Sequence, residues 1–245
     1  MTRYPAYKID DKTLDDLLQT YATDFTQRAQ DGLYDPITGR DEEIEQTILI
    51  LLHKGRKNVM LQAPAGVGKT ALCVGLAQQI AAGNVPETLK PAKLYELDLA
   101  SMSAGTSGPS EFHARFLPLI QGVAERYRNP SEPRRVLFID EIHQIMPGCV
   151  NSAYAGLSEV MKPYLTAGDI YVIGATTKDE FRQFVEPDPA MDRRFQKVEL
   201  SIPNAEQTLS IMKALKPSYE RFFGVEIGDD VLERIVAMTE QHLRK

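Results

Sequence analysis

Ala63-Pro64-Ala65-Gly66-Val67-Gly68-Lys69-Thr70 has the residue types and spacing that cradle phosphates. It lies between an apolar run, Val59-Met60-Leu61, and a helical pattern over 70–82. N–H groups at a helix N-terminus point at an anion, and the helix dipole favours negative charge there. Ala65, Gly66, Val67, Gly68, Lys69, Thr70 and Ala71 are the candidate phosphate contacts. Gly66 and Gly68 let the backbone curl without a Cβ in the way. Lys69 would reach the β- and γ-phosphates of a nucleoside triphosphate, and the Thr70 hydroxyl would ligate Mg²⁺. Ala63 stands where the strict pattern has Gly. A negative φ there would accommodate the methyl group; a positive φ would distort the loop.

Arg135-Val136-Leu137-Phe138-Ile139 is an apolar run that ends in Asp140 and Glu141. Such a run fits a strand buried on both faces of a parallel sheet. Its acids then emerge at the strand's C-terminal end, where open α/β sheets bind ligands. Asp140 would hold Mg²⁺, directly or through water, and Glu141 would orient and polarise an attacking water. Ile173-Gly174-Ala175-Thr176-Thr177 places two hydroxyls at another strand end, within reach of that water or the γ-phosphate. Arg193-Arg194 follows. Arginine supplied by a neighbouring subunit can stabilise a phosphoryl-transfer transition state, with effects of about 10³–10⁵.

Alternating strands and helices must position these groups. Strands are predicted over 58–62, 93–98, 135–139, 170–175 and 197–200, with helices over 70–82, 110–127 and 153–165 between them. This pattern predicts an α/β fold with a five-stranded parallel sheet and helices on both faces. Upstream, helical spacing predicts one helix over 13–29, capped by Thr13, and a second over 42–53, capped by Asp41. Residues 1–12 are polar and predicted to be loosely held. After Pro203 only helices are expected, over 206–215, 218–223 and 229–243. The expected division is 1–40 as an N-terminal helix and linker, 41–203 as the large α/β domain, and 204–245 as part of a small all-α domain.

At 245 residues the chain can hold one α/β domain and a smaller piece. A net charge of −6 predicts no general affinity for nucleic acid, although a local basic patch stays open. No run approaches the roughly 20 apolar residues of a membrane helix. Met1-Thr2-Arg3-Tyr4-Pro5 lacks the apolar core of a signal peptide, so a cytoplasmic location is expected. Cys73 and Cys149 are expected to be reduced and structural, and His53, His113, His143 and His242 form no metal-type pattern.

Longer stretches carry a resemblance. Tyr34-Asp35-Pro36-Ile37-Thr38-Gly39-Arg40-Asp41-Glu42-Glu43-Ile44, Gly66-Val67-Gly68-Lys69-Thr70-Ala71 and Phe138-Ile139-Asp140-Glu141-Ile142-His143 resemble the first ATPase module of the Clp family of AAA+ disaggregases and unfoldases. So do Ile173 to Gln183 and Arg193-Arg194-Phe195-Gln196-Lys197-Val198. The likeness implies an AAA+ core with a helical lid, and ATP bound with Mg²⁺ at the junctions of a ring, usually a hexamer. It matches Lys69 and Thr70 to the phosphate and Mg²⁺ contacts. Asp140 matches the Mg²⁺ ligand and Glu141 the catalytic glutamate. Thr177 matches the polar sensor, and Arg193 and Arg194 the trans-acting fingers. Ile37 and Thr38 align with the segment that packs on adenine.

The family threads polypeptide with an aromatic residue on a pore loop. That loop aligns with Ala104-Gly105-Thr106-Ser107-Gly108-Pro109-Ser110, and Gly108 stands in the aromatic position. Tyr154, in the second pore loop over 147–156, reads first as a helix residue facing the core, with an alternative pore contact as the lesser reading. The leading expectation is a ring ATPase that remodels proteins whose identity the sequence does not give. Beside it stand a nucleotide-regulated scaffold that threads nothing and a DNA-linked AAA+ loader, the latter disfavoured by the acidic balance.

Overall fold

The computed structural model describes residues 9–129 and 131–242. Of the stretch 1–12, residues 1–8 lie outside these, and Asp10 already caps a helix. That helix, α1, spans Asp11–Tyr21, and its cap is Asp10, whose Oδ1 accepts the Thr13 N–H at 2.7 Å. The single helix expected over 13–29 is two helices with a strand between them. β1 (Ala22–Asp24) pairs antiparallel with the strand carrying Tyr95 and Leu97, and α2 (Phe25–Gln30) starts afresh under an Asp24 cap. Three residues are too few to show strand alternation, so the helical pattern ran straight across them.

α3 (Asp41–Leu51) carries three acids in its first turn, as the dipole prefers. Its N-cap is Arg40, not Asp41, and no side chain caps it. There follow β2 (Asn58–Gln62), α4 (Lys69–Ala81), β3 (Lys93–Leu97), α5 (Leu99–Ser103) and α6 (Pro109–Tyr127). Next come β4 (Arg135–Ile139), a 3₁₀ turn over Ile142–Ile145, α7 (Leu157–Ala167) and β5 (Tyr171–Thr176). α8 (Lys178–Glu180), a π-type turn (Phe181–Val185), α9 (Pro189–Asp192) and β6 (Phe195–Glu199) complete the α/β part. α10 (Ala205–Phe223) and α11 (Asp229–His242) form the helical pair. α10 runs unbroken through Pro217, where two helices were expected. A capping box at Asn204 and Gln207 starts it, and the proline ring lies on its exposed side.

The sheet has six strands in the order β1-β3-β4-β5-β2-β6. The five expected strands are parallel; β1 adds an antiparallel edge. Alternate strand residues feed two cores, as a pleat requires. Met60, Leu137, Ile139 and Val172 pack with Leu14, Phe116 and Ile120 on one face. Val59, Leu61, Phe138 and Ile173 pack with Ile44, Leu72 and Leu76 on the other. Parallel strands so buried deliver the loops after β2, β4 and β5 to one edge of the sheet.

Candidate nucleotide site

The phosphate loop leaves β2 at Ala63, which is fully buried and donates its N–H to the Thr176 carbonyl at 3.2 Å. Ala63 is not in the left-handed region, so its methyl group fits where the strict pattern has Gly. Gly66 (φ 76°) and Gly68 (φ 99°) do occupy that region. Gly68 is the N-cap of α4 and presents no capping side chain, which leaves the first N–H groups of the helix free for an anion. Lys69 folds back over the loop, its Nζ 3.2 Å from the carbonyl oxygens of both Ala63 and Pro64.

Asp140 and Glu141 emerge exposed at the end of β4. Glu141 has φ 48°, the only positive φ of a non-glycine among the described residues. A conformation of this kind costs about 1–3 kcal/mol and gathers at functional sites. Its N–H donates to Asp140 Oδ1 at 2.9 Å, and its carboxylate accepts from Gln144. The acids border a cleft of about 460 Å³ that also holds Glu96 and Asp98. Burial, and then the charges of Asp140 and Asp98, raise the Glu96 carboxyl above its ordinary value.

Thr177 borders a second cleft, of about 630 Å³, with Pro64 and Ala65 of the loop. Its hydroxyl makes a capping box with Glu180, donating to Oε2 at 2.8 Å and accepting the Glu180 N–H at 3.2 Å. Thr176, one residue earlier, is buried and donates to the same carboxylate at 3.2 Å. Burial acts to raise Glu180, but hydrogen bonds from Thr177 hold its carboxyl below the ordinary range. His143, read as unremarkable in the sequence, is also part of this cluster. Its Nδ1 lies 3.1 Å from Thr176 Oγ1 and 3.4 Å from Glu180 Oε2, joining the turn after the acids to the end of β5.

The segment carrying Ile37 and Thr38 is pinned to α4 by Gln78. The Gln78 amide accepts the Ile37 N–H at 3.1 Å and donates to the Asp35 carbonyl at 2.8 Å. Gly75 makes this approach possible, because a Cβ there would meet Ile44 Cδ1 at 2.8 Å and Ile37 Cγ2 at 3.1 Å. The Thr38 hydroxyl is buried with no hydrogen-bond partner in the protein, which is costly unless something else satisfies it. Arg40 joins the loop from the side, its guanidinium donating to the Val67 carbonyl at 2.8 Å. Sequence spacing gave no sign of Arg40 or His143 as site residues, because their partners are far away in the chain.

Arg193 and Arg194 are not brought to this site. β2 and β6 run parallel with Asn58 opposite Phe195 and Gln62 opposite Glu199. The arginines therefore precede the strand pair and the phosphate loop follows it, with about 16 Å of strand between them. Asn58 fixes the Arg194 carbonyl at 3.2 Å, and Arg56 fixes that of Arg193 at 3.0 Å. Among the described residues neither guanidinium has a carboxylate partner.

In the aligned pore loop, Gly108 is extended (φ 167°) and a Cβ there would meet nothing within 4 Å. Arg115 ties the loop's base to the Met102 and Ala104 carbonyls at 2.9 and 2.7 Å. Tyr154 is half-buried: it packs edge-on against Phe112 with ring centroids 5.6 Å apart, beside the core, and its remaining surface lines the cleft that holds Asp140 and Glu141.

Comparison with known proteins agrees with this geometry. Residues 59–201 match the ATPase family associated with various cellular activities (AAA), and residues 204–245 match an AAA lid domain. The chaperone ClpB of Gloeobacter violaceus is 40% identical over 226 residues, covering 92% of this chain and 25% of that protein. The ATP-dependent Clp protease ATP-binding subunit ClpL of Staphylococcus aureus is 40% identical over 229 residues, 92% of this chain and 32% of that protein. The S. cerevisiae Hsp104–casein complex in its extended conformation superposes with a TM-score of 0.80 at 40% identity, over 93% of this chain and 38% of that one. A closed-state reconstruction of Hsp104 with ATPγS and FITC-casein gives 0.82 at 40% identity, over 93% and 38% of the two chains. The chain thus spans a quarter to a third of the curated relatives it matches. With its phosphate loop, strand-end acids and helical lid, this chain belongs to the AAA family of ATPases and is homologous to the first AAA module of ClpB and Hsp104.

Proposed function

We propose that this chain is a Mg²⁺-dependent ATP-hydrolysing module that works in a ring of its own copies, a hexamer, to remodel or unfold proteins in the cytoplasm. The observation that carries the reading is the separation within one subunit. The loop and acids share one edge of the sheet, while Arg193 and Arg194 stand at the other. A second copy supplying those arginines would complete the constellation. The reported Hsp104 structures contain ATPγS or ADP, and casein, which supports nucleotide and polypeptide as ligands here.

The residues present fit the substrate and its metal. Left-handed Gly66 and Gly68 let the loop curl with no Cβ at either position, and Thr38 offers a buried hydroxyl with no hydrogen-bond partner in the protein, within the adenine-side segment. Thr70 and Asp140 would hold Mg²⁺, which when bound neutralises phosphate charge. Ala65 to Ala71 would hold the phosphates through backbone N–H groups, with Lys69 at the β- and γ-positions. Glu141 would orient the attacking water, with Thr177 beside it, and Ile37 and Thr38 would flank adenine. Catalysis of this kind is mostly positioning and charge stabilisation. The working units are 41–203, preceded by the linker over 1–40, and the lid over 204–245. With Gly108 in the first pore loop, grip on a polypeptide does not come from an aromatic ring at that position. The likeness to ClpB and Hsp104 does not favour the scaffold or DNA-loader readings.

The test is ATP turnover with size-exclusion light scattering, comparing wild type with Glu141→Gln. Wild type should hydrolyse ATP only with Mg²⁺. The substitution should lower turnover by roughly 10²-fold or more while ATP-promoted oligomers persist. A persistent monomer without turnover rejects the proposal.

A further inference from the structure

Arg40 is not among the candidate nucleotide contacts, yet its side chain bonds the phosphate loop directly. It follows directly on Ile37, Thr38 and Gly39, and it is only 6% exposed. One terminal nitrogen, Nη2, donates both to the Val67 carbonyl of the phosphate loop (2.8 Å) and to the Ser201 carbonyl (3.1 Å). The other, Nη1, is held by Glu43 Oε1 at 2.9 Å, which pairs the buried charge. Ser201 lies between the end of β6 and the Asn204 cap of α10, on the connection to the helical pair. A single guanidinium therefore joins the adenine-side segment, the phosphate loop and the lid connection.

The bond to Val67 has a directional consequence. All described peptide bonds are trans, so the Val67 carbonyl and the Gly68 N–H point in opposite directions. By holding the carbonyl on its own side, Arg40 turns the Gly68 N–H away from itself. The same bond polarises that peptide group and makes its N–H a stronger donor. Any ligand that pulls on the Gly68 N–H shifts a peptide whose other end is bonded to the nitrogen that also holds Ser201. Lys could not replace this arrangement, because it has no planar fork to meet two carbonyls and a carboxylate at once.

The geometry points to Arg40 as a positioning residue that aims the Gly68 N–H at phosphate and transmits the state of the loop to the lid connection at Ser201. This rests on the phosphate reading of the loop. The test uses the intact chain, with Mg·ADP and adenosine as probes, in wild type, Arg40→Lys, and Arg40→Met combined with Glu43→Gln. The double variant leaves no unpaired buried carboxylate, and thermal unfolding shows that each variant folds. Affinity for Mg·ADP should fall roughly ten- to hundredfold in both variants, while affinity for adenosine changes less than about twofold. Hydrogen exchange at the amides of Ser201, Ile202 and Asn204 should slow on adding Mg·ADP in wild type and not in the variants. A merely structural role would weaken both ligands equally, and that result overturns the inference. Unchanged Mg·ADP affinity, or ligand-induced protection that survives in the folded variants, overturns it too. A wild type that binds no Mg·ADP overturns the phosphate reading itself, which the other outcomes leave standing.

Discussion

The two ends of the parallel sheet treat their polar groups in opposite ways. At the N-terminal ends, Lys57 and Asn58 are 3% and 2% exposed and fully engaged. The Lys57 ammonium donates to the Gly168 carbonyl and lies 3.6 Å and 4.1 Å from the ring centres of Tyr127 and Tyr171. Burial pushes that ammonium below the ordinary lysine value. Asn58 Oδ1 accepts the Val172 N–H at 2.9 Å while its amide holds Arg194. At the C-terminal ends, Asp140 and Glu141 are exposed, Glu141 has a left-handed backbone, and Lys69 contacts only loop carbonyls. One end spends its polar groups on holding the subunit together; the other leaves Asp140, Glu141 and Lys69 available, beside the bonded cluster of Thr176, Thr177, Glu180 and His143. The exposed Arg193 and half-buried Arg194 are the exception, available groups at the engaged end.

That exception gives the strongest way to break the comparison. Replacing Arg193 and Arg194 together by Ala should lower kcat by about 10³-fold or more, with thermal stability and nucleotide affinity near wild type. Mixing this variant with Glu141→Gln should restore part of the turnover, since each supplies what the other lacks. No recovery on mixing would place the arginines in the subunit's own chemistry or in its fold.

The engaged end should answer through stability. Asn58→Ala leaves the buried Val172 N–H without a partner and releases the Arg194 carbonyl, for a loss of about 1–3 kcal/mol in chemical denaturation. Nucleotide affinity should hardly change, because the phosphate loop lies at the other end of β2. Equal losses in both measurements would erase the distinction between the ends.

The smallest effect concerns Glu180, whose folded-state carboxyl is depressed by its Thr177 hydrogen bonds. Its contribution to stability is fully present above the ordinary glutamate value and is lost as pH falls through the lower folded value. Glu180→Gln should therefore be less stable than wild type at neutral pH, and the two should converge in acid. A constant difference across that range would show that the carboxylate charge has no part in the cluster.

How much of this was legible in the sequence follows from distance along the chain. The phosphate loop and the strand-end acids are local patterns, and their strands are continuous apolar runs. β1 was missed because its partner is β3, far downstream, and Tyr21, Ala22 and Phe25 keep a helical rhythm across it. Arg40 meets Val67 and Ser201 across 27 and 161 residues, and His143 meets Thr176 across 33, so no spacing rule could expose them. Pro217 misled in the other direction, because the local rule against proline in a helix yielded to a well-capped helix around it.

Lys69 has one more consequence. Its ammonium rests between the Ala63 and Pro64 carbonyls, so the loop carries its own resident counter-charge. Two of the ammonium's three N–H donors are engaged, so it is held in place while one donor stays free toward the open side of the loop.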